Sequence, residues 1–223
     1  MKKIIALILA LSFVLILAAC GGDNEVDMVG DMFEVSRPTK TVTSTSQTTG
    51  DIVLEAQYTL TTGIVDGAAA SVLITEVDEL VSIEDAGASD AVIGSLVTKT
   101  ELREYVEGKG VRVDGGKWDS TAENFANEAG PMSLTLSSEY IKNFKYENNI
   151  LRCIVPAENT AEVLGLAEDL SVDVSMEITD DGAVVTSVII SYTLPADTEA
   201  QVSETEITIK SFYFYDNQKI EIK

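Results

Sequence analysis

The 223-residue chain has no histidine, a single tryptophan, four prolines and two cysteines. Without histidine it lacks the commonest general acid–base side chain. The Ser-His-Asp and Cys-His constellations are excluded with it, as is any zinc site that uses imidazole. Cys153 stands in the apolar run "NILRCIVP" and reads as a small core residue rather than a nucleophile. Basic residues are scarce as well: 15 Lys and Arg stand against 37 Asp and Glu, a net charge of −22. That balance argues against nucleic acid, whose phosphates require Lys and Arg, and against electrostatic attachment to anionic lipid. The acid pairs Asp78-Glu79, Glu168-Asp169 and Asp180-Asp181 match no calcium-loop spacing. They read as turn and surface acids, so no metal and no cofactor are expected, and no enzymatic activity.

What the chain does have begins at its first residue. Met1-Lys2-Lys3 is a positive start, and Ile4 to Ala19 holds nothing more polar than Ser12. That run is shorter than the ~20 residues of a permanent membrane span. Positive start, short apolar core and small residues at its end describe a secretory leader. Leu17-Ala18-Ala19-Cys20 resembles the lipobox of bacterial lipoproteins at all four positions. The resemblance implies diacylglyceryl transfer to the Cys20 thiol, cleavage between Ala19 and Cys20, and a membrane-anchored protein on the extracytoplasmic face. With Cys20 acylated, Cys153 has no partner and no intramolecular disulfide is expected. Loss of Lys2 and Lys3 takes the net charge from −22 to −24.

Residues 20–50 read as the lipidated cysteine and a flexible tether. Gly21-Gly22 leads into a weakly apolar acidic patch and then the Ser/Thr-rich run "TKTVTSTSQTTG", a composition that favours disorder. A short strand or helix over Val26 to Val35, docked on the domain, is the alternative. Residues 51–223 carry β signals throughout. Val172, Val174, Met176 and Ile178 alternate with polar neighbours at period two. Asp66-Gly67, Asp114-Gly115-Gly116 and Asp181-Gly182 mark turns, and Asp216-Asn217 is read as a turn into a last strand "KIEIK". Two segments read as helices: Ser133–Lys145, with Leu136, Tyr140, Ile141 and Phe144 on one face, and Ala157–Asp169 after Pro156. In "FYFY", residues 212–215, the Phe face is expected to be core and the Tyr face sheet surface. Trp118 reads as an anchor for the Gly-Gly turn before it.

The fold class expected is α+β, predominantly antiparallel β: a single curved, half-barrel-like sheet with two short helices packed on it. From about residue 90 onward the order runs "VDGGKWDS", helix, "ILRCIV", short helix, then "SVDVSMEI", "AVVTSVIISYTL" and "SETEITIKSFYFY". This order resembles the half-barrel lipoprotein-carrier family and the mycobacterial lipid-binding lipoproteins, though those begin with a helix where this chain has its Ser/Thr run. The resemblance implies an apolar cavity between sheet and helices. Val172, Val174, Met176, Ile178, Val188 and Ile190 are its candidate lining; ordinary core packing is the alternative. Two functions follow. One is a non-catalytic binding domain for an apolar or amphipathic, lipid-like ligand. The other is a structural module of the cell envelope that meets a protein partner and has no ligand pocket.

Overall fold

A computed structural model describes residues 23–35, 37–82, 94–127, 134–165, 170–197 and 203–222. The leader, Cys20 and the pair Glu168-Asp169 lie outside the described residues. The strands are β1 Lys40–Thr49, β2 Ile52–Val65, β3 Ala68–Ser82, β4 Gly94–Val106, β5 Gly110–Val113, β6 Lys142–Glu147, β7 Ile150–Val155, β8 Val174–Asp180, β9 Val185–Leu194 and β10 Thr205–Phe214. The helices are α1 Asp23–Val35 and α2 Thr160–Leu164. The strands form one antiparallel ten-stranded sheet, not closed into a barrel, in the order β5-β4-β3-β2-β1-β10-β9-β8-β7-β6. Two meanders therefore meet where the first strand pairs with the last. No helix among the described residues is long and apolar enough to cross a membrane.

The turns form where the sequence demands left-handed backbone. Asp66 (φ 54°) and Gly67 (φ 84°) close β2 onto β3, and Asn148 (φ 53°) and Asn149 (φ 62°) close β6 onto β7. Two consecutive positive φ angles make the primed turn whose twist matches the strands.

The chain divides into two compact units, where a single domain from residue 51 is expected. One comprises Met1–Ser36 and Ser133–Val185, the other Arg37–Met132 and Thr186–Lys223. In the first, β7 and β8 pair Leu151 with Ile178, Cys153 with Met176 and Val155 with Val174, and all six are buried. α1 adds Val26 and Val29, both at 0 % exposure, and Met32. The helix comes so close to residue 136 that a Cβ on Gly30 would sit 2.8 Å from the Leu136 carbonyl oxygen. In the second unit, Leu60 of β2, Leu73 of β3 and Phe125 form a core, with Tyr105 and Val111 packed against it.

Several expectations are corrected here. The tether over residues 20–50 contains α1 and all of β1. The Ser/Thr run is ordered because β1 is paired on both sides, with β2 and β10, and β-branched threonine suits a strand. Cross-strand hydroxyl pairs reinforce it: Thr43 with Ser211 at 3.0 Å and Thr49 with Thr205 at 2.9 Å. Where a helix is expected over residues 133–145, the described residues from Leu134 form irregular chain, a turn at residues 138–140 and then β6. The expected helix from Ala157 is a 3₁₀ turn followed by α2, which stops at Gly165 (φ 63°), whose N–H donates to the Ala161 carbonyl. Of "KIEIK", the described residues 219–222 form no strand; Ile220 instead lies against Gly63 of β2. The aromatic faces are inverted: Tyr213 is buried, whereas Phe212 and Phe214 are each 43 % exposed.

Candidate binding surface

Val174, Met176 and Ile178 share the buried face of β8, and Val188 and Ile190 are buried on β9 in the other unit. These five residues keep at most 2 % of their surface accessible, and Val172, ahead of β8, is half-buried. A side chain on the wall of a pocket that admits water retains accessible surface. Each of the five is packed inside its own unit. Cys153, opposite Met176 in the first unit, is buried as well, and burial pushes its thiol up to about 12.

The exposed chemistry lies on the second unit's sheet, on the face away from Phe125. There β1, β2, β3, β4 and β10 place residues in transverse rows, because regular antiparallel register aligns every second side chain. One row joins Leu102, Ile74, Thr59, Val42 and Phe212. The next joins Thr100, Glu76, Gln57, Ser44 and Lys210. A third contains Thr98 opposite Asp78, and Ser46 opposite both Glu55 and Thr208. Leu96, Val53, Thr48 and Glu206 follow beyond it. All of these two polar rows but Thr100 line a depression of about 670 Å³, together with Thr45 and Ala56. The residues beside them stay exposed: Ile74 at 38 %, Phe212 at 43 %, Val53 at 44 % and Leu96 at 52 %.

The face is thus a polar band with exposed apolar side chains on either side of it. Within the band, Thr98 Oγ1 donates to Asp78 Oδ1 at 2.6 Å, and Gln57 Nε2 lies 3.4 Å from Glu76 Oε2. No ion pair among the described residues involves Glu55, Glu76, Asp78 or Lys210. At one corner Lys40 Nζ lies 5.6 Å from the Phe214 ring centroid, within cation–π range.

The remaining polar groups are structural. Glu104, fully buried, accepts from Arg112 Nε at 2.6 Å, and the Arg112 guanidinium stacks 4.7 Å from the Trp118 ring centroid. Trp118 thereby fastens the segment after β5, the anchoring role expected of it. In the first unit Asp180 is buried, not at the surface as its sequence setting suggested. It accepts from Tyr146 Oη at 2.9 Å and from the Gly182 N–H at 2.8 Å. Burial, then the Asp180 carboxylate, push the Tyr146 phenol up to about 12. A smaller depression of about 310 Å³ lies between α1, at Asp27, Asp31 and Glu34, and residues 134–136.

No protein-family profile matches the chain, and no curated protein matches it. Among solved structures, it is similar to a DUF1329 family protein from Desulfovibrio piger, at 9 % identity over 84 % of this chain and 91 % of that one, with a TM-score of 0.25. A likeness of that size carries no functional argument.

The polar band escaped the sequence reading because its residues are two or more apart on five different strands. Only the register brings Ser44, Gln57, Glu76 and Lys210 into one row. The signal available was the alternation Glu55-Gln57 and Glu76-Asp78, a polar parity in strands otherwise rich in Val, Leu and Ile.

Proposed function

We propose that the protein is a lipid-anchored, extracytoplasmic binding protein without catalytic activity, and that it takes an amphipathic ligand on the exposed sheet face of the Arg37–Met132/Thr186–Lys223 unit. The observation that carries this reading is the polar band flanked by exposed Ile74, Phe212, Val53 and Leu96. Exposed apolar side chains grouped around a polar strip are a common mark of a contact surface. The anchor rests on Leu17-Ala18-Ala19-Cys20. Two acyl chains give stable attachment where one does not. Lack of histidine supports a non-catalytic role.

Two measurements test the reading. Cys20→Ala is expected to leave an uncut precursor or to release the protein from the membrane fraction; a variant processed and membrane-bound like the parent would refute the anchor. Gentle purification followed by native mass spectrometry is expected to show a bound amphipathic species, small molecule or polypeptide, lost on denaturation. If Phe212→Ser with Ile74→Ser retains that species at parental stoichiometry, the surface has been misassigned.

A further inference from the structure

We infer that the occupant of this face is a basic, extended polypeptide segment of another protein, with Lys or Arg over the polar band and apolar side chains over its margins. The inference rests on the surface assignment above and names its partner.

Three observations lead there. First, the band carries the carboxylates of Glu55, Glu76 and Asp78 against the single ammonium of Lys210, and no ion pair among the described residues engages any of them. A concave face that concentrates one sign of charge attracts the opposite sign, and it repels phosphate and anionic head groups. This sets a cationic partner above an anionic lipid. Second, the band crosses five neighbouring strands, from Thr98 on β4 to Thr208 and Lys210 on β10. At roughly 4.8 Å per strand that is about 19 Å, the reach of about six extended residues. A single small cation would use a fraction of it. Third, exposed apolar side chains stand on both margins, Ile74 and Phe212 on one and Val53 and Leu96 on the other, where Thr48 and the exposed Glu206 carboxylate share the row. A polypeptide offers charged and apolar groups at that spacing, as in other peptide-recognition grooves. A neutral glycan would satisfy the hydroxyls and amides but leave the excess of negative charge uncompensated.

The test uses the isotope-labelled protein, expressed with its own leader and purified from whichever fraction holds it. It is titrated with a ten-residue peptide of alternating Lys and Leu, its Glu/Leu counterpart, a neutral chitin oligomer and a short-chain lysophospholipid. The methyl resonances of Val42, Ile74 and Leu96 report the face. The Lys/Leu peptide is expected to shift them, with affinity that falls as salt rises. Glu55→Gln/Glu76→Gln/Asp78→Asn is expected to weaken it at least tenfold. Glu101→Gln/Glu147→Gln/Glu162→Gln, which removes as much charge elsewhere, is expected to weaken it less than twofold. Equal weakening by both triple variants would mean general attraction to an acidic protein and would overturn the inference. So would a glycan or lysophospholipid that shifts these methyls where the basic peptide does not, although the surface assignment would then stand. If no probe shifts them, both fall.

Discussion

Gly110 has φ 85°, and a Cβ there would sit 1.9 Å from the Asp119 carbonyl oxygen. The contact arises because Val111 and Asp119 exchange backbone hydrogen bonds, folding residues 114–122 back along β5. Gly67 has nearly the same φ, 84°, but open space around it. Gly67→Ala is therefore expected to cost about 1 kcal/mol, the left-handed backbone term alone. Gly110→Ala adds a clash with backbone and is expected to cost about 2 kcal/mol more. Urea unfolding of the two variants checks the difference. Burial pushes both the Tyr213 phenol and the Cys153 thiol up to about 12, above unfolded values of 10.0 and 9.0. Groups whose proton is held more tightly when folded stabilise the fold below the unfolded value and lose that contribution as pH rises towards the folded one. Stability is expected to fall from about pH 9 towards pH 12. Cys153→Ala should remove the earliest part of that fall in urea titrations at pH 8 to 11. Tyr213 also shows what a single residue's sequence setting hides. The four letters "FYFY" do not say which parity faces inward. The preceding "EITIK" does, since Ile207 and Ile209 share Tyr213's parity while Glu206, Thr208 and Lys210 share that of Phe212.

Elements were legible where alternation and turn residues agreed. β8, β9 and the turns at Asp66-Gly67 and Asp181-Gly182 stand where the sequence puts them. The failures share a cause: a segment whose conformation is decided by its neighbours. Ser/Thr-rich β1 has little hydrophobic signal of its own and owes its order to β2 and β10. Residues 133–145 show helical spacing, yet Asn143 has φ 51° and the β6–β7 register shifts between Lys142 and Lys145, so a bulged strand forms instead. α1 looked like part of a tether, but it buries Val26, Val29 and Met32 and leaves no room for a side chain at Gly30. A chain beginning at Arg37 is therefore expected to lose the cover over Leu134 and Leu136. It should unfold at lower temperature and bind a hydrophobic dye that the longer chain excludes. An unchanged melting temperature would show that α1 contributes nothing to its unit.

At the scale of the molecule, antiparallel β architecture and an open sheet followed from sequence pattern, while the site did not. The sequence pointed to apolar inward residues, and these became packed interior: Val174, Met176 and Ile178 leave water nothing to touch. The surface with unassigned chemistry is polar at its centre, and only the five-strand register assembles it. We propose that this face, not the interior, meets the ligand. The most direct measurement is photocrosslinking in the producing cell from two adjacent positions on β1. Ser44 lies in the polar band, and Thr43, opposite Tyr58, alternates to the Phe125 side. A photoreactive residue at Ser44 is expected to capture a discrete adduct that one at Thr43 does not. Capture at Thr43 alone, or equal capture from both, would show that the ligand does not bind this face.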